Sequence, residues 1–230
     1  TGCVLSSAIA SYLTLGYPLP DACRLGQYYV AGFIRSNDTN LGMHNRMEST
    51  APEVDLYRIP LQYITDHKEG VSIPEQVEAV CKGGCRWVQL RMKEADREEF
   101  IRVGRTVKEI CKRHGALFLV NDNVDIAKAM DADGVHVGQS DMEALDVRRK
   151  LGPDKIIGVS AQTVEQALLA EKHGADYLGV GAVFPTGSKD DADDVSYDTL
   201  QAICRAVSIP VVAIGGISLG NVSQLSGSGI

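Results

Sequence analysis

The sequence has 230 residues, a formal net charge of −7 at pH 7, 44% hydrophobic residues and 6% aromatic residues. This length suits one large α/β domain, or one domain with an appendage, and the hydrophobic fraction is enough to fill a core. The few aromatic residues argue against an all-β sandwich. The negative charge argues against a general nucleic-acid binder, which usually has a basic surface.

The first 55 residues differ in pattern from the rest of the chain. Residues 4–15 and 21–34 are predicted to form two short helices, because a Gly/Pro-rich turn separates two apolar stretches. We therefore interpret residues 1–35 as a helical extension and residues 36–55, which are polar and without periodicity, as a linker. Because the sequence begins with Thr1 and not with Met, we interpret it as a piece of a longer protein.

The six cysteines are scattered, and no Cys or His pair completes a zinc pattern. Reduced, structural cysteines are typical of a cytoplasmic protein, and that is the location we expect. The sequence contains no apolar run of the roughly 20 residues that a membrane span needs, so no membrane association is predicted.

From Leu56 onward, short apolar runs alternate with amphipathic segments. The runs begin near Leu61, Trp87, Leu117, Val135, Ile156, Tyr177 and Val211. The amphipathic segments are 74–83, 96–114, 123–131, 142–151, 163–173, 196–207 and, weakly, 220–226. This alternation predicts a parallel sheet, and about 25 residues per unit match a TIM-type (β/α)8 barrel over residues 56–230 that lacks its eighth strand. The alternative is an open doubly wound sheet, which usually has a glycine-rich turn after its first strand; no such turn follows Ile64.

Polar residues cluster where the predicted strands end, which is where βα barrels place their chemistry. The second strand is predicted to run through Lys93, and its alternation places Gln89, Arg91 and Lys93 on one face, toward the barrel mouth. On an edge strand, the same stripe would face solvent.

Two acidic residues follow adjacent strands. The third strand ends in Asn121-Asp122, and the fourth in Gly138-Gln139-Ser140-Asp141. Because Mg²⁺ favours one or two carboxylates together with ligand phosphate oxygens, Asp122 and Asp141 could share this ion. The alternative is that each acid caps the helix that follows it.

The last three strands end in groups suited to phosphate. Ser160 ends the fifth strand, and its hydroxyl could bind phosphate or cap a helix. Thr186, Ser188 and Lys189 follow the sixth strand, in a loop with hydroxyls, N–H groups and an ammonium. Gly215 and Gly216 follow the seventh, where paired glycines allow close approach to the backbone or form a plain turn. His67, His136 and His173 have no nucleophile or metal-ligand pattern around them in the sequence, and we assign them no role.

As a set, these motifs resemble the thiamin phosphate synthase family over about residues 57–230. The motifs that carry the resemblance are Gln89-Leu90-Arg91-Met92-Lys93, Asn121-Asp122, Gly138-Gln139-Ser140-Asp141, Gly158-Val159-Ser160, Pro185-Thr186-Gly187-Ser188-Lys189 and Gly215-Gly216-Ile217. The resemblance implies that Gln89, Arg91, Lys93, Asn121 and Lys189 hold a pyrimidine diphosphate, and that Asp122 and Asp141 hold Mg²⁺. It further implies that Ser160 meets the pyrimidine or its diphosphate, and that Thr186, Ser188 and Gly216 hold a thiazole phosphate.

The implied reaction couples the hydroxymethylpyrimidine diphosphate to the hydroxyethylthiazole phosphate by a dissociative, Mg²⁺-assisted mechanism. Lys93, Ser160 and Lys189 are the implied catalytic residues. Two alternatives stay open: a thiazole tautomerase of the same fold, which would not need the acids, and an inactive phosphate-binding remnant. The acidic run 190–194 and the missing eighth strand depart from the family pattern.

Residues 1–35 resemble the end of a second family, hydroxymethylpyrimidine phosphate kinase, on Thr1-Gly2-Cys3 and Ser6-Ser7-Ala8-Ile9-Ala10. Cys3 is catalytic in that family, but we assign it no role because the rest of the kinase is absent. This resemblance suggests fusion to the kinase in the natural gene. Small-molecule substrates are the expected partners, and a homo-oligomer is considered.

Overall fold

A computed structural model describes residues 2–14, 19–20, 22–23, 26–27, 30, 56–186 and 194–230. The chain divides into two compact units. One consists of Thr1–Val54 with Arg148–Asp154, and the other of Asp55–Val147 with Lys155–Ile230. The first unit contains helix α1, Gly2–Thr14, in agreement with the first predicted helix. Most of the second predicted helix, 21–34, and all of the predicted linker, 36–55, lie outside the described residues.

Seven parallel strands form one sheet in the order β1 to β7, each paired with its neighbours in sequence. They are β1 Tyr63–Ile64, β2 Trp87–Leu90, β3 Leu117–Asn121, β4 Gly134–Val137, β5 Ile156–Ala161, β6 Tyr177–Val180 and β7 Val211–Ala213. Sequential parallel order is the arrangement of a βα barrel and not of a doubly wound sheet, whose order reverses. Within the described residues, β1 and β7 each have a strand partner on one side only.

Helices join successive strands. They are α2 Ile73–Lys82, α3 Arg97–His114, α4 Val124–Ala129, α5 Ala144–Leu151, α6 Val164–Lys172 and α7 Tyr197–Ala206. The weak helix predicted at 220–226 is a 3₁₀ turn, Val222–Leu225. Side-chain caps begin several helices: Ser72 and Glu75 form a capping box at α2, and Asp96 caps α3.

The core lies between the sheet and its covering helices. Strands β2, β4 and β6 are buried along their whole length, as expected of parallel strands covered on both faces. Asp133 and Asp176 bond to neighbouring strands near the N-terminal ends of β3 and β5. Their carboxylates accept the backbone N–H groups of Phe118 and Ile157.

The prediction for the second strand was wrong in its length. Strand β2 ends at Leu90, so Arg91 and Lys93 lie in the loop that follows it. The physical reason is Thr65, which is fully buried. The Thr65 hydroxyl accepts the Arg91 N–H at 2.8 Å and donates to the Arg91 carbonyl at 2.9 Å. Both backbone groups of Arg91 are therefore bonded to a side chain. In a strand they would bond to the backbone of a neighbouring strand.

Free thiols are found at Cys23, Cys81, Cys85, Cys111 and Cys204. Burial raises the pKa of Cys111 to about 12, which keeps its thiol protonated and unreactive. In the described part of the chain, no helix is long and apolar enough to cross a membrane.

Candidate functional site

A cavity of about 350 Å³ opens where β2 and β3 end. Arg91, Lys93, Asn121 and Asp122 line it, together with apolar side chains that include Phe100. The structure thus brings four of the predicted site residues to one cavity. Two of them are cations and one is an amide, a composition suited to an anionic ligand.

Arg91 is held from both its backbone and its side chain. Thr65 fixes the backbone, as described above, and the Arg91 guanidinium Nη1 lies 3.5 Å from the Asp66 carboxylate. Sequence analysis did not single out Thr65. Thr65 directly follows β1, and the pairing of β1 with β2 places it beside the end of β2. A polar residue at the end of the first strand is the signal that could have identified it.

Neither predicted acid caps a helix. Asn123, and not Asp122, caps α4, and its side-chain oxygen accepts the Ile126 N–H at 2.9 Å. Asp122 adopts a left-handed backbone conformation with φ of 59°, and its N–H donates to the His136 carbonyl at 2.7 Å. The Asp141 carboxylate accepts the Gly138 N–H at 2.7 Å. Asp141 lies three residues before the first residue of α5, Ala144, so its carboxylate bonds to the preceding loop and not to the helix.

Asp122 and Asp141 each supply a carboxylate, the type of ligand that hard cations prefer. Both Asp122 and Asp141 are exposed. Among the described residues, no group of three or more His, Cys, Asp or Glu side chains could hold a metal ion. Two carboxylates that rely on ligand oxygens and water for the remaining positions are the environment that Mg²⁺ prefers, unlike a closed zinc site.

The interior of the sheet holds a polar cluster that sequence analysis missed. His136 on β4 has its Nδ1 2.8 Å from the Tyr177 hydroxyl and its Nε2 3.0 Å from the Ser160 hydroxyl. Gln62 donates from Nε2 to the Tyr177 oxygen at 2.9 Å. Ser160 is further fixed through its carbonyl, which accepts from Gln139 Nε2 at 2.5 Å.

Two glycines make room for the rings of this cluster. A Cβ on Gly158 would lie 2.1 Å from the Tyr177 ring, and a Cβ on Gly179 would lie 2.9 Å from the His136 ring. Glycines in the middle of buried strands therefore mark the positions of the two rings, and they are the sequence signal for them. Burial raises the pKa of Tyr177, so it stays a neutral phenol.

Gln89 has a buried donor without a partner. The side chain is 1% exposed, and its Nε2 has no hydrogen-bond partner. An unpaired buried donor is costly, and such a group calls for an explanation such as a ligand or water. This observation suits the predicted role of Gln89 in ligand binding.

The loops after β6 and β7 pack against each other. Phe184 N–H donates to the Gly215 carbonyl at 3.2 Å, and a Cβ on Gly216 would lie 2.5 Å from the Pro185 carbonyl oxygen. Gly216, with φ of 61°, is thus needed for contact between the two loops. Thr186 lies in the same pair of loops, whereas Ser188 and Lys189 lie outside the described residues.

The fold and site define a class of protein: a βα barrel that gathers cationic and amide side chains in a cavity at the C-terminal ends of its strands. Residues 61–230 match the family model described as thiamine monophosphate synthase, and the chain belongs to this family. Residues 1–48 match the model described as phosphomethylpyrimidine kinase. Both resemblances found in the sequence are confirmed.

Individual relatives agree with this assignment. A thiamine-phosphate synthase of Ruminiclostridium cellulolyticum is 50% identical over 172 residues, covering 74% of this chain and 82% of that protein. The "Thiamine biosynthetic bifunctional enzyme TH1, chloroplastic" of Arabidopsis thaliana is 40% identical over 246 residues, covering 98% of this chain. The chain spans only 47% of that bifunctional protein.

A solved structure has the same fold. Thiamine phosphate pyrophosphorylase from Pyrococcus furiosus matches with a TM-score of 0.69 and 38% sequence identity, covering 76% of this chain and 85% of that chain. The predicted TIM-type fold class is therefore confirmed.

Proposed function

We propose that this chain couples 4-amino-2-methyl-5-hydroxymethylpyrimidine diphosphate to 4-methyl-5-(2-hydroxyethyl)thiazole phosphate, giving thiamin phosphate and diphosphate. The observation that carries the proposal is the cavity lined by Arg91, Lys93, Asn121 and Asp122, in a chain of the thiamine monophosphate synthase family. The cationic groups of Arg91 and Lys93 and the amide of Asn121 line the same cavity, a combination suited to a diphosphate.

The first step is departure of the diphosphate. The bond between the pyrimidine methylene carbon and the diphosphate oxygen breaks, and the oxygen keeps the electron pair. Arg91 and Lys93 stabilise the charge that develops on the leaving group, because fixed cations favour the transition state over the ground state. We assign the same role to Lys189.

The second step forms the carbon–nitrogen bond. The lone pair of the thiazole nitrogen attacks the pyrimidine methylene cation, so no general base is needed. Gln89 and Ser160 hold the pyrimidine, and Asn121 holds the diphosphate. Thr186, Ser188 and Gly216 hold the thiazole phosphate, a role suited to the paired loops after β6 and β7.

Asp122 and Asp141 are the residues that would hold Mg²⁺. When bound, this ion would neutralise charge on the diphosphate. The exposed carboxylates at the ends of β3 and β4 support this assignment, since both have room for ligand oxygens beside them.

A coupling assay tests the proposal. The chain is incubated with both substrates and Mg²⁺, and thiamin phosphate is measured by chromatography, with parallel reactions lacking one substrate. Turnover only when both substrates are present is the expected result. Binding of the pyrimidine diphosphate without turnover would instead indicate an inactive remnant. Isomerisation of a thiazole phosphate without coupling would indicate the tautomerase.

We also propose that the natural gene joins this barrel to a hydroxymethylpyrimidine phosphate kinase. The match of residues 1–48 supports this, as does the name of the Arabidopsis relative, a bifunctional enzyme. A cytoplasmic location, supported by the free thiols, and a homo-oligomeric state stay predictions; microscopy of a tagged natural protein and analytical ultracentrifugation would check them.

A further inference from the structure

A chain of hydrogen bonds crosses the sheet interior from Gln62 to Ser160. Gln62 Nε2 donates to the Tyr177 hydroxyl oxygen at 2.9 Å, and that oxygen lies 2.8 Å from His136 Nδ1. His136 Nε2 then lies 3.0 Å from Ser160 Oγ. The hydrogen bonds thus connect the buried side chains of Tyr177 and His136 to the half-buried Ser160.

With a neutral His136 ring, counting protons leaves two directions for this series of hydrogen bonds. An amide nitrogen only donates, so the Tyr177 oxygen accepts from Gln62. In the first direction, Tyr177 donates to His136 Nδ1, and His136 donates from Nε2 to Ser160, which leaves the hydroxyl proton of Ser160 for another acceptor. In the second direction, Ser160 donates to His136 and His136 donates to Tyr177, which leaves the phenol proton of Tyr177 without an acceptor.

Burial decides between the two directions. Tyr177 is fully buried, and in the described part of the chain its hydroxyl has no further hydrogen-bond acceptor. Gln89 lies near the same hydroxyl, but its Nε2 is a donor without a partner of hydrogen-bond geometry. An unpaired buried O–H carries its full desolvation penalty, whereas Ser160 is only half-buried and its proton can reach a ligand or water.

We infer that Gln62 is a positioning residue that fixes His136 as its Nε2–H tautomer and makes Ser160 a hydrogen-bond donor to the substrate. The substrate must then present an acceptor atom to Ser160, which is either a neutral ring nitrogen or an anionic oxygen. The role of Ser160 toward the substrate rests on the proposed function, whereas the His136 tautomer follows from the hydrogen bonds and the burial of Tyr177.

Nuclear magnetic resonance of the full chain with ¹⁵N-labelled histidine tests the tautomer without any substrate. Long-range proton–nitrogen spectra distinguish a protonated from an unprotonated ring nitrogen, and the His136→Asn variant identifies the His136 signals. We expect a protonated Nε2 and an unprotonated Nδ1. An Nδ1–H tautomer or a doubly protonated ring would overturn the inference.

The Gln62→Glu variant tests the direction in which the hydrogen bonds from Gln62 to Ser160 run. A carboxylate accepts where the amide donates, so Tyr177 should donate to the new carboxylate, and His136 should change to the Nδ1–H tautomer. Ser160 then donates to His136 and is lost as a donor to the substrate. We expect the KM for the pyrimidine diphosphate to rise about tenfold, as for the loss of one hydrogen bond, with a much smaller change in kcat.

The matched control is Gln166→Glu, because the Gln166 side-chain oxygen accepts the Gln162 N–H and a carboxylate keeps that contact. It should leave both the tautomer and the KM unchanged. An unaltered tautomer in Gln62→Glu would overturn the role of Gln62. An altered tautomer with an unaltered KM would overturn the role of Ser160 as donor. If the unmodified chain shows no coupling, the proposed function fails while the tautomer measurement still decides the inference.

Discussion

Asp122 combines an unusual backbone conformation with a side chain at the mouth of the cavity. Its φ of 59° is in the left-handed region, where Asn and Asp are tolerated better than most residues. Asp122→Asn therefore keeps the backbone and removes one charge. We expect the Mg²⁺ concentration for half-maximal coupling to rise at least about tenfold, since one of two carboxylate ligands is lost. A Mg²⁺ titration of the coupling rate measures this.

The fold of this variant should stay intact, with the free energy of unfolding changed by less than about 0.5 kcal/mol. The exposed Asp154→Asn variant is the control for loss of one negative charge away from the site. Asp141→Ala should weaken Mg²⁺ dependence in the same way. The assignment of the two acids is wrong if Asp122→Asn and Asp141→Ala need no more Mg²⁺ than the Asp154→Asn control and the unmodified chain.

Gly158 tests the packing of Tyr177. Gly158→Ala places a Cβ 2.1 Å from the ring, in a position where the buried ring has no space to move. Overpacking of a core costs roughly 1–3 kcal/mol, and we expect a loss of stability in or above that range, measured by urea unfolding. Gly220→Ala is the control, because its nearest heavy atom would be 3.7 Å away. Equal stability of the two variants would contradict the packing described here.

At the scale of elements, Thr65 couples β1 to the loop that carries Arg91. Thr65→Val keeps the shape of the side chain but loses both hydrogen bonds to the Arg91 backbone. We expect about 1–3 kcal/mol lower stability and weaker binding of the pyrimidine diphosphate, because two buried bonds are lost and Arg91 is no longer fixed. Urea unfolding and calorimetry measure the two effects.

Thr65→Ser keeps the hydroxyl and serves as the matched control. It should lose stability from the missing methyl group but bind the diphosphate nearly as well as the unmodified chain. If Thr65→Val binds as tightly as Thr65→Ser, then the Thr65 hydroxyl does not position Arg91.

The alternation of strands and helices was predictable because each unit repeats the same periodicity. The seven predicted strand starts lie close to the observed ones, and the order of the sheet follows from short connections. The length of β2 was not predictable from periodicity. The pattern continues through Lys93, whereas a side-chain contact from Thr65 ends the strand earlier.

The polar cluster behind Ser160 could not be predicted from local patterns for a related reason. His136 and Tyr177 are 41 residues apart, and only the pairing of strands brings their rings together. The residues at the mouth were easier to identify, because the barrel places every strand end at the same edge.

At the scale of the whole molecule, we predict that residues 1–50 are dispensable for coupling. They precede the βα repeat, and the family match for coupling covers residues 61–230. Deletion of residues 1–50 should leave the kcat and KM of an active form largely unchanged, as steady-state kinetics would show. The stability of the deleted chain is measured alongside, by urea unfolding. A lower kcat or a higher KM for coupling in a deleted chain of unchanged stability would contradict this prediction.

The two substrates should bind with different affinities. The described residues proposed for the pyrimidine diphosphate lie on or directly after β2 to β5, strands that are paired on both sides. The thiazole phosphate instead relies on the loops after β6 and β7, and in the described residues β7 is paired only with β6. An edge strand without a second partner holds its loop less firmly. The apolar side chains of Ile214 and Leu219 beside it are 42% and 99% exposed, so packing adds little support.

We therefore expect calorimetry, with Mg²⁺ present and each ligand tested separately, to give at least about tenfold tighter binding for the pyrimidine diphosphate. A tenfold difference corresponds to about 1.4 kcal/mol, roughly one well-made hydrogen bond. Inorganic phosphate is the control ligand, because it measures the affinity that the anion alone provides. Equal or tighter binding of the thiazole phosphate would mean that another segment, such as residues 1–35 or a neighbouring copy of the chain, pairs with β7 and orders the loop that carries Gly216.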